Sequence, residues 1–459
     1  MTPVAVIGGG ITGLTAAFYL KRQGLPVVVY EASHRVGGAI QSQRENGYLA
    51  EFGPNTLLET STKVGQLVKD AGLSGRRIDP DPSASARYVV RYRRPIEMPG
   101  SPLGFFTTKL FTAKAKWAVL REPFVPPRRD GQEESVAQFV IRRLGQEFLD
   151  QAIDAMVAGV YAGDPYRLSV PHAFPKLGQL EARYGSLIKG QIFGARDRKR
   201  SGEVAKDRAA KLSFDEGLQV LPDTLSSNLG EAVRLNTAVA RLTQTPAGWS
   251  VGLRKGSDEF SAEHSAVVCA GTAFRLAEIE LQTQTPLSFA PLGEIRYPPV
   301  ASVVLGFRRE DVAHPSSGFG MLIPKVEGFK ILGTIFSSSL FPNRAPAGHL
   351  TLTSYVGGER YPELAALPVD QLVELTCADL RVLLGLKGRP TFQHCVYYPR
   401  AIPQFNVGFG RFRDLMANLE RSAPGLFLAG HYRDGISLSD SIVSACNVAD
   451  RTGSYLRNL

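Results

Sequence analysis

Glycines at positions 8, 10 and 13 and a carboxylate at position 31 are the residues whose types and spacing point most directly to chemistry in this chain. Gly8-Gly9-Gly10-Ile11-Thr12-Gly13 reads G-x-G-x-x-G. Gly8 allows a tight turn, Gly10 lets a pyrophosphate approach the main chain, and Gly13 lets a helix pack on the preceding strand. Glu31 lies about 20 residues beyond the motif, where a carboxylate accepts hydrogen bonds from ribose hydroxyls; its charge repels a 2′-phosphate and so argues against NADP. Arg35-Val36-Gly37-Gly38 places a basic residue beside paired glycines, a composition suited to lying along a pyrophosphate. Gly53-Pro54-Asn55 reads equally as a plain turn or as a further approach to a ligand. The histidines are scattered, no Ser/His/Asp arrangement stands out and no metal cluster is spaced for ligation, so neither a protein catalytic group nor a metal is expected.

These residues need a strand–turn–helix–strand frame. Pro3–Ile7 (PVAVI) is short, apolar and β-branched, the pattern of a buried parallel strand. Residues 11–23 carry helical periodicity (Ile11, Leu14, Ala17, Phe18, Leu20) and stop at Gly24. Pro26–Tyr30 (PVVVY) is a second strand ending at Glu31, and the intervening helix offers free N–H groups to phosphate. Late in the chain, Ala266–Ala270 and Gly425–Gly430 (GLFLAG) read as further buried strands. Asp434–Ser437 is a turn, and Ser439 or Asp440 caps a final helix through about Tyr455. The dipole of that helix favours negative charge on a group bound at its start.

At 459 residues the chain exceeds one ordinary core, so two or three domains are expected. Cys269, Cys377, Cys395 and Cys446 form no CxxC and no disulfide framework, which suits buried apolar roles in a reducing compartment. The first strand begins almost at Met1, so no signal or transit segment is expected, and no apolar run is long enough to span a bilayer. The net charge of +10 admits anionic substrates or anionic lipid; without a nucleic-acid motif it gives no reason to expect a nucleic-acid partner.

Between the two ends, residues 61–73 read as an amphipathic helix behind a Ser/Thr cap. A strand begins at Arg87-Tyr88-Val89-Val90 and runs into Arg91, Arg93 and Arg94; most of these arginines are expected on the solvated surface, with one facing a pocket. Residues 105–129 interleave Phe105, Phe106, Phe111, Trp117 and Phe124 with Lys and Arg at helical spacing. That pattern suits a membrane interface or, equally, a helix covering a core. Helices are expected over 133–145 and 147–158, a glycine-punctuated loop over 159–165, and an exposed loop or frayed helix over 194–211 around Arg198-Lys199-Arg200. Another helix opens at Gly217–Leu221. Residues 233–242, 248–254 and 260–270 alternate as a small antiparallel sheet. The runs 300–307, 318–324, 330–336 and 350–356 form a candidate substrate sheet, 368–385 is helical, and Pro403-Gln404-Phe405 starts the return.

The chain resembles the oxygen-dependent protoporphyrinogen oxidases over nearly its full length. The motifs that carry this are Val6–Leu14 (VIGGGITGL), Glu31–Gly38 (EASHRVGG), Glu51–Asn55 (EFGPN), Gly159–Asp164 (GVYAGD) with Leu168-Ser169, Phe214–Leu221, Ile402–Phe405 (IPQF) and the closing LAG…DGIS. Leu332–Pro346 (LGTIFSSSLFPNRAP) is similar to the plant-type members, while Phe405 replaces a commoner tyrosine and His431 and Arg433 fall where members vary. The resemblance implies an α/β fold with a Rossmann-type FAD-binding domain (1–86, 213–299 and 401–459), a helical membrane-docking domain (87–212) and an antiparallel-sheet substrate domain (300–400). It implies noncovalent FAD held by Gly8, Gly9, Gly10, Ile11, Thr12, Gly13, Glu31, Ala32, Arg35, Gly38, Ala39, Gly53, Pro54, Asn55, Thr56, Val239, Gly430, His431, Ile436, Ser437 and Leu438. For the tetrapyrrole substrate it implies Arg87 as propionate anchor, backbone carbonyls at Ala162 and Gly163 for pyrrole N–H groups, and slot walls from Phe319, Leu322, Ile335 and Tyr355. By periodicity alone those four wall residues read as sheet core. The implied reaction is six-electron oxidation of protoporphyrinogen IX by flavin and oxygen, in a cytoplasmic protein bound peripherally to a membrane, with room for a homodimer. Coproporphyrinogen III oxidation is the near alternative. An amine oxidase or carotenoid desaturase is a more distant one, and a non-enzymatic flavin-binding membrane scaffold is the remaining class.

Overall fold

The apolar run Val4–Ile7 is the central strand of a five-stranded parallel sheet whose order is Val233–Arg234, Val27–Tyr30, Val4–Ile7, Ala266–Cys269, Leu426–Leu428. The computed structural model describes residues 2–128, 130–201 and 209–459, the side chains of 195–201 excepted. Both faces of the sheet are covered, which is why its strands are apolar throughout rather than alternating. The helices Ile11–Arg22, Val220–Leu229 and Leu438–Arg457 pack on one face around Leu14, Ala17, Val29 and Val268. Gly24 ends the first helix at φ +80°. The last helix is capped by Ser437, not Ser439 or Asp440: Ser437 Oγ accepts the Asp440 N–H, Asp440 returns the bond to the Ser437 N–H, and Ser439 donates instead to the Leu58 carbonyl.

The alternating run 233–242 is not one strand. Asn236 takes φ +53°, so Val233–Arg234 joins the parallel sheet while Ala238–Thr245 leaves to pair with Gly248–Lys255 and Glu280–Gln282 in a second sheet.

A seven-stranded sheet forms the other large layer, in the order Phe392–Tyr398, Val300–Arg308, His349–Gly357, Ile331–Ile335, Gly320–Leu322, Arg87–Arg91, Arg94–Glu97. It is antiparallel except where Gly320–Leu322 runs parallel to Arg87–Arg91. The hairpin Arg87–Glu97, grouped by sequence with the helical segment, is therefore an edge of this sheet. Because side chains alternate along each strand, Val90, Met321, Val303, Leu305 and Val356 fall on one face and bury against the helix Val369–Leu384. Arg87, Leu322, Ile335, Tyr355 and Ser302 fall on the opposite face.

Between the sheets lies helical structure. Residues 105–129 are not one amphipathic helix but the short helices Pro102–Thr107 and Ala113–Arg121 and the turn Glu122–Phe124; Arg129 lies outside the described residues. Arg143 is buried and ion-pairs with Glu122 at 2.9 Å and with Glu181, while Arg142 links Glu181 to Glu134. Gln146–Phe148 leads through the π-helical turn Leu149–Ile153 into the helix Asp154–Tyr161, so Gly159, Val160 and Tyr161 are helical and the expected loop begins only at Ala162. The helix Leu187–Ser201 covers part of the charged 194–211 run; the side chains of Arg198-Lys199-Arg200 and the structure of 202–208 lie outside the described residues. Arg93 and Arg94 are exposed, but Arg91 is buried and pairs with Glu147 at 3.1 Å, a correction to its reading as a surface charge. All four cysteines are unpaired, three of them buried and Cys395 half-buried.

Candidate functional site

The first glycine loop is a cradle. Gly8 sits at φ +104°, and a Cβ on Gly13 would lie 1.9 Å from the Gly8 carbonyl oxygen, so the helix can approach the strand only with glycine there. A Cβ on Gly10 would meet no atom of the surrounding segments within 4 Å, and the helix that starts after Gly10 has no side-chain cap. An open space in front of an uncapped helix N-terminus is what a pyrophosphate needs. Glu31 is fixed beside it: Gly9 N–H donates to Oε2 at 2.6 Å and Ser33 N–H to Oε1 at 2.8 Å. Gly37 N–H donates to the Gly9 carbonyl at 2.9 Å, and a Cβ on Gly38 would lie 3.5 Å from Gly10 Cα. Arg35 turns onto its own loop, donating to the Val36, Gly38 and Ile40 carbonyls.

Other distant segments converge on this loop. A Cβ on Gly430 would stand 3.7 Å from Thr12 Oγ1, which places the C-terminal strand end against the glycine motif. Thr237 N–H donates to the Glu31 carbonyl, bringing the strand that carries Val239 alongside. A Cβ on Gly53 would lie 2.0 Å from the Ala39 carbonyl oxygen, so these two segments touch. The bond from Ser439 to Leu58 sets the start of the last helix, with Ile436, Ser437 and Leu438, beside the segment that follows Thr56. Burial pushes the His431 imidazole down to about 4, and its Nε2 lies 3.4 Å from the Tyr297 hydroxyl. His431 is therefore neutral near pH 7 and able to donate or accept.

The Gly53–Thr56 turn faces the seven-stranded sheet. Asn55 Nδ2 donates to the Tyr355 hydroxyl at 2.8 Å, joining the two layers. Arg87, Leu322, Ile335 and Tyr355 of this face are half-buried while Val89 and Ser302 beside them are buried, and Phe319, just before the strand Gly320–Leu322, is half-buried as well. The Arg87 guanidinium carbon lies 5.9 Å from the centre of the Phe319 ring. The helix Asp154–Tyr161 covers the Leu322 side of this face with small residues; a Cβ on Gly159 would lie 2.3 Å from Leu322 Cδ2. Ala162 takes φ +49°, and its carbonyl accepts the Glu359 N–H at 2.7 Å.

Sequence reasoning missed several groups here. The hydroxyls of Ser302 and Tyr398, on the same sheet face, are buried with no partner among the described residues, as is that of Thr56, which the sequence already places in the cofactor set. Burial pushes the Tyr398 phenol up, and the charge of Arg35 opposes the shift. Buried polar groups without protein partners fit a site built for a polar ligand. Their sequence signal was a Ser or Tyr on the inward positions of otherwise apolar strands. The pair Glu51–Arg344 was missed as well: it is buried at 3.1 Å, with Ser42 Oγ and Leu218 N–H also donating to Glu51. Arg344→Ala leaves the Glu51 carboxylate buried without its cation, and we expect a loss of about 3–5 kcal/mol in chemical denaturation. Glu51→Gln/Arg344→Met should recover part of it; an unchanged midpoint in Arg344→Ala would contradict the pairing.

A family model for flavin-containing amine oxidoreductases matches residues 11–452. The chain is 35% identical to protoporphyrinogen oxidase 2, chloroplastic/mitochondrial, of Arabidopsis thaliana, over 99% of this chain and 94% of that protein. It is 29% identical to coproporphyrinogen III oxidase of Bacillus subtilis, over 96% of this chain and 95% of that protein. Among solved structures, one from Exiguobacterium sp. superposes with a TM-score of 0.82 at 22% identity over 99% of both chains. Reduced UDP-galactopyranose mutase superposes with a TM-score of 0.73 at 14% identity, over 98% of this chain and 95% of that one.

Proposed function

The chain belongs to the flavin-containing amine oxidoreductase family, and on that premise we propose that it oxidises protoporphyrinogen IX to protoporphyrin IX, with oxygen as final acceptor. It is an FAD-dependent oxidoreductase. The observation that carries the substrate reading is the set of half-buried apolar residues Leu322, Ile335 and Tyr355 on one sheet face, with Arg87 at its end. A flat, largely apolar macrocycle with carboxylate side arms matches that arrangement.

When bound, FAD supplies the two-electron acceptor for each hydride removed from a methylene bridge, and oxygen carries the electrons on to hydrogen peroxide. The residues of this chain do the rest. Gly8–Gly13 and the helix behind them would take the pyrophosphate and Glu31 the ribose. Ala32, Arg35, Gly38, Ala39, Gly53–Thr56, Val239, Gly430, His431 and Ile436–Leu438 complete the proposed cofactor set. Arg87 would pair with a propionate through a charge-assisted bond. Phe319, Leu322, Ile335 and Tyr355 would hold the ring flat and exclude water. Gly163 and the remaining lone pair of the Ala162 carbonyl would accept pyrrole N–H bonds. Loss of hydride leaves positive charge delocalised into the pyrrole nitrogens, so no strong base is required of the protein.

Coproporphyrinogen carries two further carboxylates, for which this face offers, among the described residues, no second anchor as plain as Arg87. Steady-state turnover of both substrates tests the choice. We expect kcat/KM for protoporphyrinogen IX to exceed that for coproporphyrinogen III; the reverse order would move the assignment to the alternative.

We assign residues 1–86, 213–299 and 401–459 to the FAD-binding domain, 300–400 with the hairpin Arg87–Glu97 to the substrate domain, and the remainder to a helical membrane-docking domain. No helix among the described residues is long and apolar enough to cross a membrane. Peripheral docking is supported by Leu103, Trp117 and Phe124, which are 74%, 66% and 85% exposed amid Lys and Arg. The helix Leu187–Ser201, with exposed Ile192 and Phe193, packs beside the Glu122–Phe124 turn. Unpaired cysteines fit a reducing compartment, in our reading the cytoplasm. Wild type should float with anionic liposomes, and Trp117→Asp/Phe124→Asp should weaken partition at least ~100-fold with FAD still bound. Wild type that ignores liposomes of every composition would refute the docking role.

A further inference from the structure

Gln404, in the Ile402–Phe405 stretch, is buried, and two bonds aim its carboxamide: Nε2 donates to the Tyr161 carbonyl at 2.8 Å and to the Ile402 carbonyl at 3.1 Å. The Tyr161 carbonyl belongs to the last turn of the helix Asp154–Tyr161, where carbonyls lose their intrahelical donors. Ala162 then leaves the helix in the left-handed region, and its own carbonyl takes the Glu359 N–H. A side chain 243 residues further along thus caps this helix end. Gln404 Oε1 is buried with no partner among the described residues. A Cβ on Gly163 would lie 2.5 Å from Oε1, so the corner has room for the carboxamide only because residue 163 is glycine. Rotating the amide would turn Oε1 onto two carbonyl oxygens, which fixes its orientation. The Gln404 backbone is held too, with its N–H donating to the Arg296 carbonyl at 2.8 Å and the Ser169 N–H donating to the Phe405 carbonyl at 2.8 Å.

We propose that Gln404 is a positioning residue for the oxidation: by holding the Tyr161 carbonyl it sets the direction of the Ala162–Gly163 peptide toward the slot. This rests on the reading that the slot holds a porphyrinogen. Gln404→Met keeps the volume and removes both donors; Gly163→Ala keeps Gln404 and displaces its carboxamide. In both, kcat for protoporphyrinogen IX should fall roughly 10- to 100-fold through misalignment of bound substrate. KM, set by Arg87 and the apolar walls, should move by less than about threefold. FAD content and direct reduction by dithionite should match wild type, while the melting temperature should fall by the few degrees that an unpaired Tyr161 carbonyl costs. Wild-type kcat in either folded variant would overturn the proposal, as would a loss seen only in melting temperature or FAD content. If Gln404→Met does not accumulate folded, Gly163→Ala decides between these outcomes by itself. A wild-type enzyme that oxidises no porphyrinogen would instead refute the underlying reading, and this role with it.

Discussion

Gly10→Val yields a folded but colourless protein. A Cβ at position 10 meets no atom of the surrounding segments within 4 Å, so a side chain there starts into open space rather than into the chain. It fills the space before the uncapped helix start, where the pyrophosphate must come within hydrogen-bond distance of the N–H groups. At Gly13 the nearest obstacle is the Gly8 carbonyl oxygen at 1.9 Å, so Gly13→Val disturbs the strand–helix packing itself. Gly10→Val should therefore show a native circular dichroism spectrum and no flavin absorbance. Its melting temperature should equal that of wild type stripped of FAD, since only ligand stabilisation is lost. Denatured wild type should release all of its flavin, as expected of noncovalent binding. A Gly10→Val protein that purifies yellow, with wild-type stoichiometry, would place the pyrophosphate elsewhere.

Arg87→Ala lowers kcat/KM for protoporphyrinogen IX by roughly 30-fold to a few thousand-fold. The range follows from the about 2–5 kcal/mol that losing one partner of a desolvated charge pair costs, at about tenfold per 1.36 kcal/mol. Arg87 is half-buried on the face that carries Leu322, Ile335 and Tyr355, with Phe319 beside its guanidinium. Its contribution is positioning, so much of the loss should appear in KM. Arg87→Lys should recover only part of it, because an ammonium cannot make the planar bidentate pair. Arg93→Ala and Arg94→Ala are the controls, both residues being exposed. Arg91 does not serve as one, since removing it leaves Glu147 without its buried partner. Wild-type turnover by Arg87→Ala would mean that the anchor lies elsewhere.

The glycine loop and the strand–helix–strand frame around it were legible because their logic is local. Strand, glycine turn, helix and Glu31 fall within about 30 consecutive residues, and each glycine answers one steric demand. The seven-stranded sheet was legible in its strand runs but not in its edge: nothing in 87–97 says that the hairpin pairs with Gly320–Leu322, a partner more than 200 residues away. The run 233–242 misled because alternation continues across Asn236, whose left-handed backbone sends the two halves to different sheets. Buried ion pairs were illegible for the same reason. Arg91, Arg143 and Arg344 look like ordinary surface arginines until the fold brings Glu147, Glu122 and Glu51 to them. Gln404 belonged to a motif that sequence could identify but not explain, because the carbonyl it caps lies on a helix far back in the chain.

Anaerobic titration of the FAD-loaded enzyme with protoporphyrinogen IX tests the central claim most directly. The visible flavin absorbance should bleach, with one porphyrinogen able to reduce three bound flavins on its way to protoporphyrin. Admitting oxygen should restore the colour and release hydrogen peroxide. Flavin that stays oxidised with protoporphyrinogen, yet is reduced by dithionite, would contradict the assignment.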